Sequence, residues 1–348
     1  MRIAQVAPLY ESVPPKLYGG TERVVSYLTE ELAAQGHDVT LFASGDSVTK
    51  ARLRAPVAQA LRLGDGYDDP IPYHLVELEH VLREAHRFDV VHFHTDYIHF
   101  PLARRLPVPH VTTLHGRLDL RDLPLLYREF EDIPLVSISD AQREPLQWAN
   151  WKATVYHGLP VDLYRPVLRP EGYLAFLGRI SPEKRPDRAI EIARRAGVPL
   201  RIAAKVDRAD RDYFETKIRP LLSGPGVEFI GEIGEKDKNE FLGNALALLF
   251  PIDWPEPFGL VMIESMACGT PIVAFRGGSV PEVIDEGVTG FIVEDIAGAV
   301  AAVERVAELD RRLVRRTFER RFTAARMARD YLAVYRSLTV EVAAPKAA

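Results

Sequence analysis

The sequence predicts an α/β protein made of two doubly wound parallel-sheet domains, and three observations predict it. The chain has 348 residues, more than most single cores accommodate and the length of two ordinary domains. Short apolar, β-rich runs alternate with helical patterns, the pattern of a parallel sheet covered on both faces. The alternation then stops at "GLPVDLYRPVLRPEG" (158–172), whose three prolines and closing glycine read as a linker, and starts again. A first domain over 1–163 and a second over 164–325 follow.

In the first half, "RIAQVA" (2–7) is a strand. Behind it Val24, Val25, Leu28 and Leu32 share one helical face that Gly36 closes. Further strands are expected at 38–43, 89–93, 110–114, 134–138 and 153–157. The second half opens with the strand "YLAFLG" (173–178) and a helix, "RPDRAIEIARRAG", with Pro186 near its first position and Gly197 beyond its end. Strands are then expected at 200–206, 227–231, 245–252, 271–275 and 290–294. In such sheets ligands bind beyond the carboxyl ends of the strands, so the loops that follow the strands are where chemistry is expected.

Composition narrows the function. A net charge of −5 with 47% apolar residues describes a globular chain without the basic footprint that nucleic acid requires. The single cysteine, Cys268, cannot form an internal disulfide and reads as a small buried side chain. Gln5 and Pro8 interrupt the first apolar stretch too early for a signal peptide or a membrane span, so a cytoplasmic protein is expected. Two G-x-G pairs occur, Gly64/Gly66 and Gly224/Gly226, but Asp69 and Phe229 stand where a dinucleotide fingerprint needs its third glycine, and no Walker sequence is present.

"PEPFGLVMIESMACGTPIVAFRGG" (255–278) carries the site. A strand, a stiff loop and a helix beginning near Phe258 or Gly259 expose backbone N–H groups at the positive end of the helix dipole, an anion site that Gly259 leaves open to a phosphate. Helical side chains lean toward the N-terminus, so Glu264 reaches back to the helix mouth, where a ribose diol suits a carboxylate better than a second anion would. Glu256, before the turn, lies near the group attached to the phosphates, which suits sugar hydroxyls. In "LGRISPEKRPD", Arg179 and Lys184 follow a strand and supply cations for a diphosphate. Gly19 and Gly20 in "YGGTERVV" place further amides after the first strand.

"GGTE", "TTLHG", "GRISPEK" and the run from Glu256 to Asp295 resemble the signature of the family 4 retaining glycosyltransferases, which have the GT-B fold of two Rossmann-like domains facing a cleft. The compact length and "AAKVDRADRDYF" resemble the small subgroup that includes an avilamycin-pathway enzyme. The resemblance implies a donor sugar linked to UDP or GDP, bound mostly by the second domain, and an acceptor bound mostly by the first. It also implies a final helix, in 326–348, crossing back to the first domain. Residue by residue, it implies that Glu264 binds ribose and that Arg179 and Lys184 bind the diphosphate. Phe258, Gly259, Leu260 and Val261 would meet phosphate and sugar, and Glu256 would contact sugar hydroxyls. Gly20 would lie against the diphosphate and His115 against the donor sugar. Two departures stand out: Arg185 follows the lysine where the family often has glycine, and "AAKV" replaces a glycine-rich turn, putting Lys205 near the donor. Backbone groups from Gly231 to Ile233 are expected to read the base.

The resemblance further implies retention of anomeric configuration without a metal, His115, Glu256, Arg179 and Lys184 being the residues at the reacting centre. Charge growing on the leaving diphosphate would be met by Arg179, Lys184 and the helix amides. Blander readings stand beside these. His92 and His94 read as strand-end polar packing or a cleft contact rather than metal ligands, and Asp210 and Asp212 as helix-opening acids. Trp148 and Trp151 read as packing before an acceptor site. The arginines of 311–329 read as a solvated helical face, with peripheral contact to anionic lipid as the alternative. The rival functions are a two-domain sugar-binding protein without chemistry and a nucleotide-sugar epimerase; the donor turn disfavours the latter.

Overall fold

The computed structural model describes residues 1–62 and 67–343, the last three as backbone only; the Gly64/Gly66 pair and positions 344–348 lie outside the described residues. The chain parts into two compact units, Met1–Gly158 with Ala324–Ala348, and Leu159–Thr323.

Unit 1 is built on a parallel sheet of seven strands, β1 (Arg2–Val6), β2 (Asp38–Phe42), β3 (Arg52–Arg54), β4 (Val90–Phe93), β5 (His110–Thr113), β6 (Leu135–Ser137) and β7 (Trp151–Thr154), in the order 3-2-1-4-5-6-7. Helix α1 (Gly20–Ala34) buries Val24, Val25, Leu28 and Leu32, the face that the spacing marks out, and Gly36 takes the left-handed conformation beyond its end. Helices α2 (Ile71–Glu84) and α3 (Leu123–Glu129) cover the sheet. β3 is a charged edge strand, "RLR", whose polarity hides it from an apolar-run reading and guards the sheet edge. β7 begins two residues earlier than expected because Trp151 pairs with Leu135.

Unit 2 has six parallel strands, β8 (Tyr173–Arg179), β9 (Leu200–Lys205), β10 (Val227–Gly231), β11 (Ala245–Phe250), β12 (Ile272–Phe275) and β13 (Gly290–Val293), ordered 10-9-8-11-12-13. Its helices include α4 (Pro186–Ala196), α5 (Glu235–Gly243), α6 (Leu260–Ala267), α7 (Ile296–Arg305) and α8 (Arg311–Arg321). Leu174, Phe176, Ile202, Leu249 and Val273 form the core with Ile190 and Ala193 of α4, the apolar runs being covered on both faces as a parallel sheet demands. Strand order reverses direction between β8 and β11, so the loops after these two strands diverge and leave a crevice between them. The stretch read as a linker is tied to unit 2 from Leu159 onward: the N–H groups of Leu159, Val167 and Glu171 donate to the carbonyls of Phe322, Cys268 and Asn244.

A last helix, α9 (Ala324–Ala343), groups with unit 1 and packs on α1. Among the described residues no helix is long and apolar enough to cross a membrane. The arginine-rich segment corrects the expectation of a solvated face. Arg311 donates to the carbonyls of Val167, Ala245 and Gly243 and to Thr270, and Arg315 to those of Val161, Tyr164 and Ala267. Arg321 bonds the Glu282 carbonyl and Asp285, while Arg326 bonds the carbonyls of Tyr156 and His157. Only the alternating set, Arg312, Arg316, Arg320 and Arg329, faces solvent. The five donors of a guanidinium satisfy carbonyls at strand and helix ends that would otherwise be buried unpaired.

Replacing Arg311 by Met is therefore expected to destabilise the protein by about 3 kcal/mol or more, because three carbonyls lose a charged donor, whereas Arg312→Met stays within about 0.5 kcal/mol. Denaturant unfolding of the two variants checks this; equal losses would contradict it.

Candidate functional site

Both loops at the β8/β11 reversal carry residues singled out by the sequence. Arg179 ends β8, and Lys184 lies five residues on, in a turn closed by its N–H to the Ser181 carbonyl. The Asp253 N–H donates to the Glu183 carbonyl and couples this turn to the loop after β11. There Glu256 is buried, accepts from the indole N–H of Trp254 at 3.1 Å and pairs closely with Lys184. The Lys184 ammonium sits 5.0 Å from the Trp254 ring centre and 5.5 Å from that of Phe250, so aromatic faces supplement the carboxylate around it.

Phe258 is buried, and Gly259, Leu260 and Val261 are half-buried in the turn that enters α6. Gly259 caps α6 in the left-handed conformation, φ 77°, which an L side chain adopts at a cost; its Cβ would also lie 2.8 Å from Met262. The first N–H groups of α6 have no intrahelical acceptor and carry the positive end of its dipole. Glu264, one turn in, is buried and accepts from the Lys238 ammonium of α5 at 2.7 Å. Beneath the loop, Gly277, Gly278 and Ser279 form a platform: Ser279 donates from its N–H to the Glu256 carbonyl and from its hydroxyl to the Phe258 carbonyl. A Cβ on Gly278 would meet the Glu256 backbone at 2.2 Å, so only glycine lets the two loops close.

Arg179 ion-pairs with Glu183 at 3.5 Å, Asp210 at 3.4 Å and Asp207 at 3.8 Å, and Lys205 with Asp207 at 2.9 Å. Asp210 thus faces a cation rather than serving only as a helix-opening acid. Gly231 ends β10 with φ 78°, and Glu232 and Ile233 lead into α5. Arg185 holds φ 53° at the cap of α4, the backbone shape that explains a glycine preference there. Its guanidinium compensates by bonding Asp187 at 2.7 Å and Asp253 at 2.8 Å, one carboxylate on each side of the crevice loops.

Unit 1 holds the remaining candidates. Gly20 is the first residue of α1 and is exposed; at Gly19 the lack of a side chain admits Pro15, which a Cβ would approach to 2.7 Å. Burial, with the Glu11 charge, pushes the Glu22 carboxyl up to about 7. His115 follows β5, and the Gln142 amide holds the carbonyls of Leu114 and Gly116 on either side of it. Its ring stacks on His157 with centres 5.3 Å apart, and burial pushes it down to about 3, so it is neutral at pH 7. All four ring nitrogens of His92 and His94 have protein hydrogen-bond partners. Trp148 lies under Arg128, and Trp151 donates to the Leu146 carbonyl; both pack. Cys268 is buried and its thiol is pushed up to about 12 by desolvation.

Sequence reasoning missed Lys238, Trp254, Asp253 and the Gly277–Ser279 platform. Lys238 has no signal of its own, since "EKDKNE" reads as any solvated helix start. The glycine pair after a strand was a signal for close backbone approach.

The model for glycosyl transferases group 1 matches residues 167–319, and that for Glycosyltransferase Family 4 matches 18–157. Glycogen synthase of Mycobacterium tuberculosis is 28% identical over 88% of this chain and 86% of its own. D-inositol 3-phosphate glycosyltransferase of Saccharomonospora viridis is 30% identical over 55% of this chain and 52% of its own. Among solved structures, AviGT4, a glycosyltransferase involved in avilamycin A biosynthesis, is 26% identical with a TM-score of 0.77 and 98% coverage of both chains. Anabaena HepE in complex with UDP-glucose, at 17% identity, 97% and 100% coverage and a TM-score of 0.74, shares the fold. The two units and their crevice loops define a GT-B protein. The chain belongs to the family 4, group 1 glycosyltransferases, and it is an enzyme of that class.

The strain at Arg185 makes a stability prediction. Arg185→Ala loses the carboxylate contacts and keeps the strain, whereas Arg185→Gly loses both, so the glycine variant should be the more stable of the two by about 1 kcal/mol. Chemical denaturation measures the difference; an alanine variant at least as stable would refute it.

Proposed function

We propose that this enzyme transfers a hexose from a UDP- or GDP-linked donor to an acceptor hydroxyl, in glycan, glycolipid or natural-product synthesis, with retention of anomeric configuration and without a metal. One observation carries the proposal: at the β8/β11 reversal the cations Arg179 and Lys184, the open N-terminus of α6 and the buried Glu264 belong to the same two loops and the helix behind them. Cations and amides suit a pyrophosphate, and an acceptor-only carboxylate one turn in suits a ribose diol.

Leaving-group charge is the chemical problem. Once the donor is bound, Arg179, Lys184 and the α6 amides would face the negative charge that grows as the bond from the anomeric carbon to phosphate oxygen breaks, so no further reorganisation would be needed at that step. Lys184 would exchange its bond to Glu256 for the phosphate, and Glu256 would then be free for sugar hydroxyls. The acceptor proton would pass to the departing phosphate oxygen on the same face. Neutral His115 would orient the donor sugar and need not act as a base.

A thermal-shift series with UDP, GDP and their sugars tests the donor site. The cognate nucleotide at a hundred times its Kd should stabilise by about 2.7 kcal/mol, and Glu264→Ala should abolish the shift; a variant that still shifts fully would refute the ribose assignment. Lys184→Ala should lower kcat at least tenfold, about 1.4 kcal/mol, and raise the donor KM less, because its contact strengthens as the bond breaks. A change confined to KM would count against it. Activity should survive EDTA, and loss that Mg²⁺ restores would overturn metal independence.

A further inference from the structure

Behind His115 runs an unbroken chain of side-chain hydrogen bonds, all within unit 1. The His115 Nε2 lies 2.9 Å from His94 Nδ1, and His94 Nε2 lies 2.8 Å from the Gln5 amide oxygen. The Gln5 amide nitrogen donates to the Tyr335 hydroxyl at 3.0 Å, which lies 2.7 Å from His92 Nδ1. His92 Nε2 meets the Thr113 hydroxyl at 2.7 Å, and that hydroxyl meets Tyr331 at 2.9 Å. Gln5 lies on β1, His92 on β4, Thr113 on β5 and both tyrosines on α9, so the last helix of the chain closes the circuit.

The polarity of this chain follows from Gln5. Its amide oxygen carries no proton, so His94 Nε2 must hold one; a neutral imidazole has a single N–H, so His94 Nδ1 is an acceptor. His115 must then donate from Nε2, which leaves its Nδ1 as a bare lone pair. Burial keeps His92, His94 and His115 below the usual histidine range, as neutrality requires. Further along, the Tyr335 hydroxyl accepts from Gln5 and donates to His92 Nδ1, and His92 Nε2 donates to Thr113. His115 Nδ1 is buried and has no hydrogen-bond partner among the described residues. Turning the Gln5 amide round would reverse every bond and leave a buried, unpaired N–H at that position, the costlier kind of orphan.

We infer that Gln5 and Tyr335 are positioning residues that lock His115 in its Nε2-protonated tautomer, so that its Nδ1 accepts a hydrogen bond from a sugar hydroxyl and turns away a carboxylate. The substrate class that follows is a neutral hexose donor rather than a hexuronate. This selectivity rests on the reading of His115 as the donor-sugar contact; the tautomer does not.

The experiment is long-range ¹H–¹⁵N spectroscopy of the full chain labelled with ¹⁵N-histidine at pH 7.5, with His115 assigned through His115→Asn. Expected is a protonated-type nitrogen at Nε2 and an unprotonated one at Nδ1; the opposite pattern overturns the inference. In Tyr335→Phe, which frees the Gln5 amide to turn, both His115 nitrogens should move toward averaged shifts while the backbone amide spectrum keeps its dispersion. An unchanged His115 pattern there would remove Tyr335 from the lock. Adding UDP-glucose or GDP-mannose should shift Nδ1 as it gains a bond, and the matching hexuronate should bind at least tenfold more weakly. A locked tautomer that neither donor perturbs would sink the donor-contact reading of His115 and leave the relay standing.

Discussion

Lys184 and Glu256 hold each other across the space between the β8 and β11 loops, and the neighbouring loops of unit 2 are arranged around that pair. Neither charge could sit beside Phe250 and Trp254 alone, because an uncompensated charge in an apolar, poorly solvated corner costs several kcal/mol. The same logic repeats nearby: Glu264 is matched by Lys238, Arg179 by Asp207, Asp210 and Glu183, and Arg185 by Asp187 and Asp253. Each of these charged groups therefore has an opposite partner within unit 2. In the proposed complex a diphosphate with its ribose would offer both signs of replacement, an anion for the cations and hydroxyl donors for the carboxylates, so binding would exchange partners instead of stripping them.

Paired charges need rigid loops, and backbone packing supplies them. Gly278 lets the β12 turn press against the Glu256 backbone, Ser279 clamps the carbonyls of Glu256 and Phe258, and the Asp253 N–H reaches the Glu183 carbonyl. Arg185 accepts a strained backbone in order to bridge Asp187 and Asp253. In unit 1 the corresponding rigidity comes from hydrogen bonds between buried side chains, with histidines, Gln5 and two tyrosines in a core where apolar packing alone would leave His115 free to turn. The two units thus position their functional groups by different means, ion pairs in one and neutral relays in the other.

Much of the fold was legible because parallel strands buried on both faces read as apolar runs, as most of the strands among the described residues do. β3 was not, since its arginines carry no apolar signal. The turn that enters α6 was legible from the glycine and the apolar helical pattern after it. Lys238 was not, because a lysine in a charged helical turn looks the same whether it faces water or Glu264; the partner is supplied by α6, which follows in sequence only after β11. Arg311, Arg315, Arg321 and Arg326 misled for the same reason: the carbonyls they satisfy lie up to about 170 residues away in the chain, beyond any local pattern. The His92 and His94 pair read as polar packing, and the relay gives that packing its partners.

Whether charge exchange at the α6 mouth accommodates a nucleoside diphosphate is decided by a crystal structure of the protein soaked with UDP-glucose or a GDP-linked hexose. Expected are pyrophosphate oxygens accepting from the N–H groups of Leu260 and Val261 and from Arg179 and Lys184, with the ribose hydroxyls on Glu264. A nucleotide bound elsewhere, with Lys184 still on Glu256 and the helix mouth vacant, would contradict it.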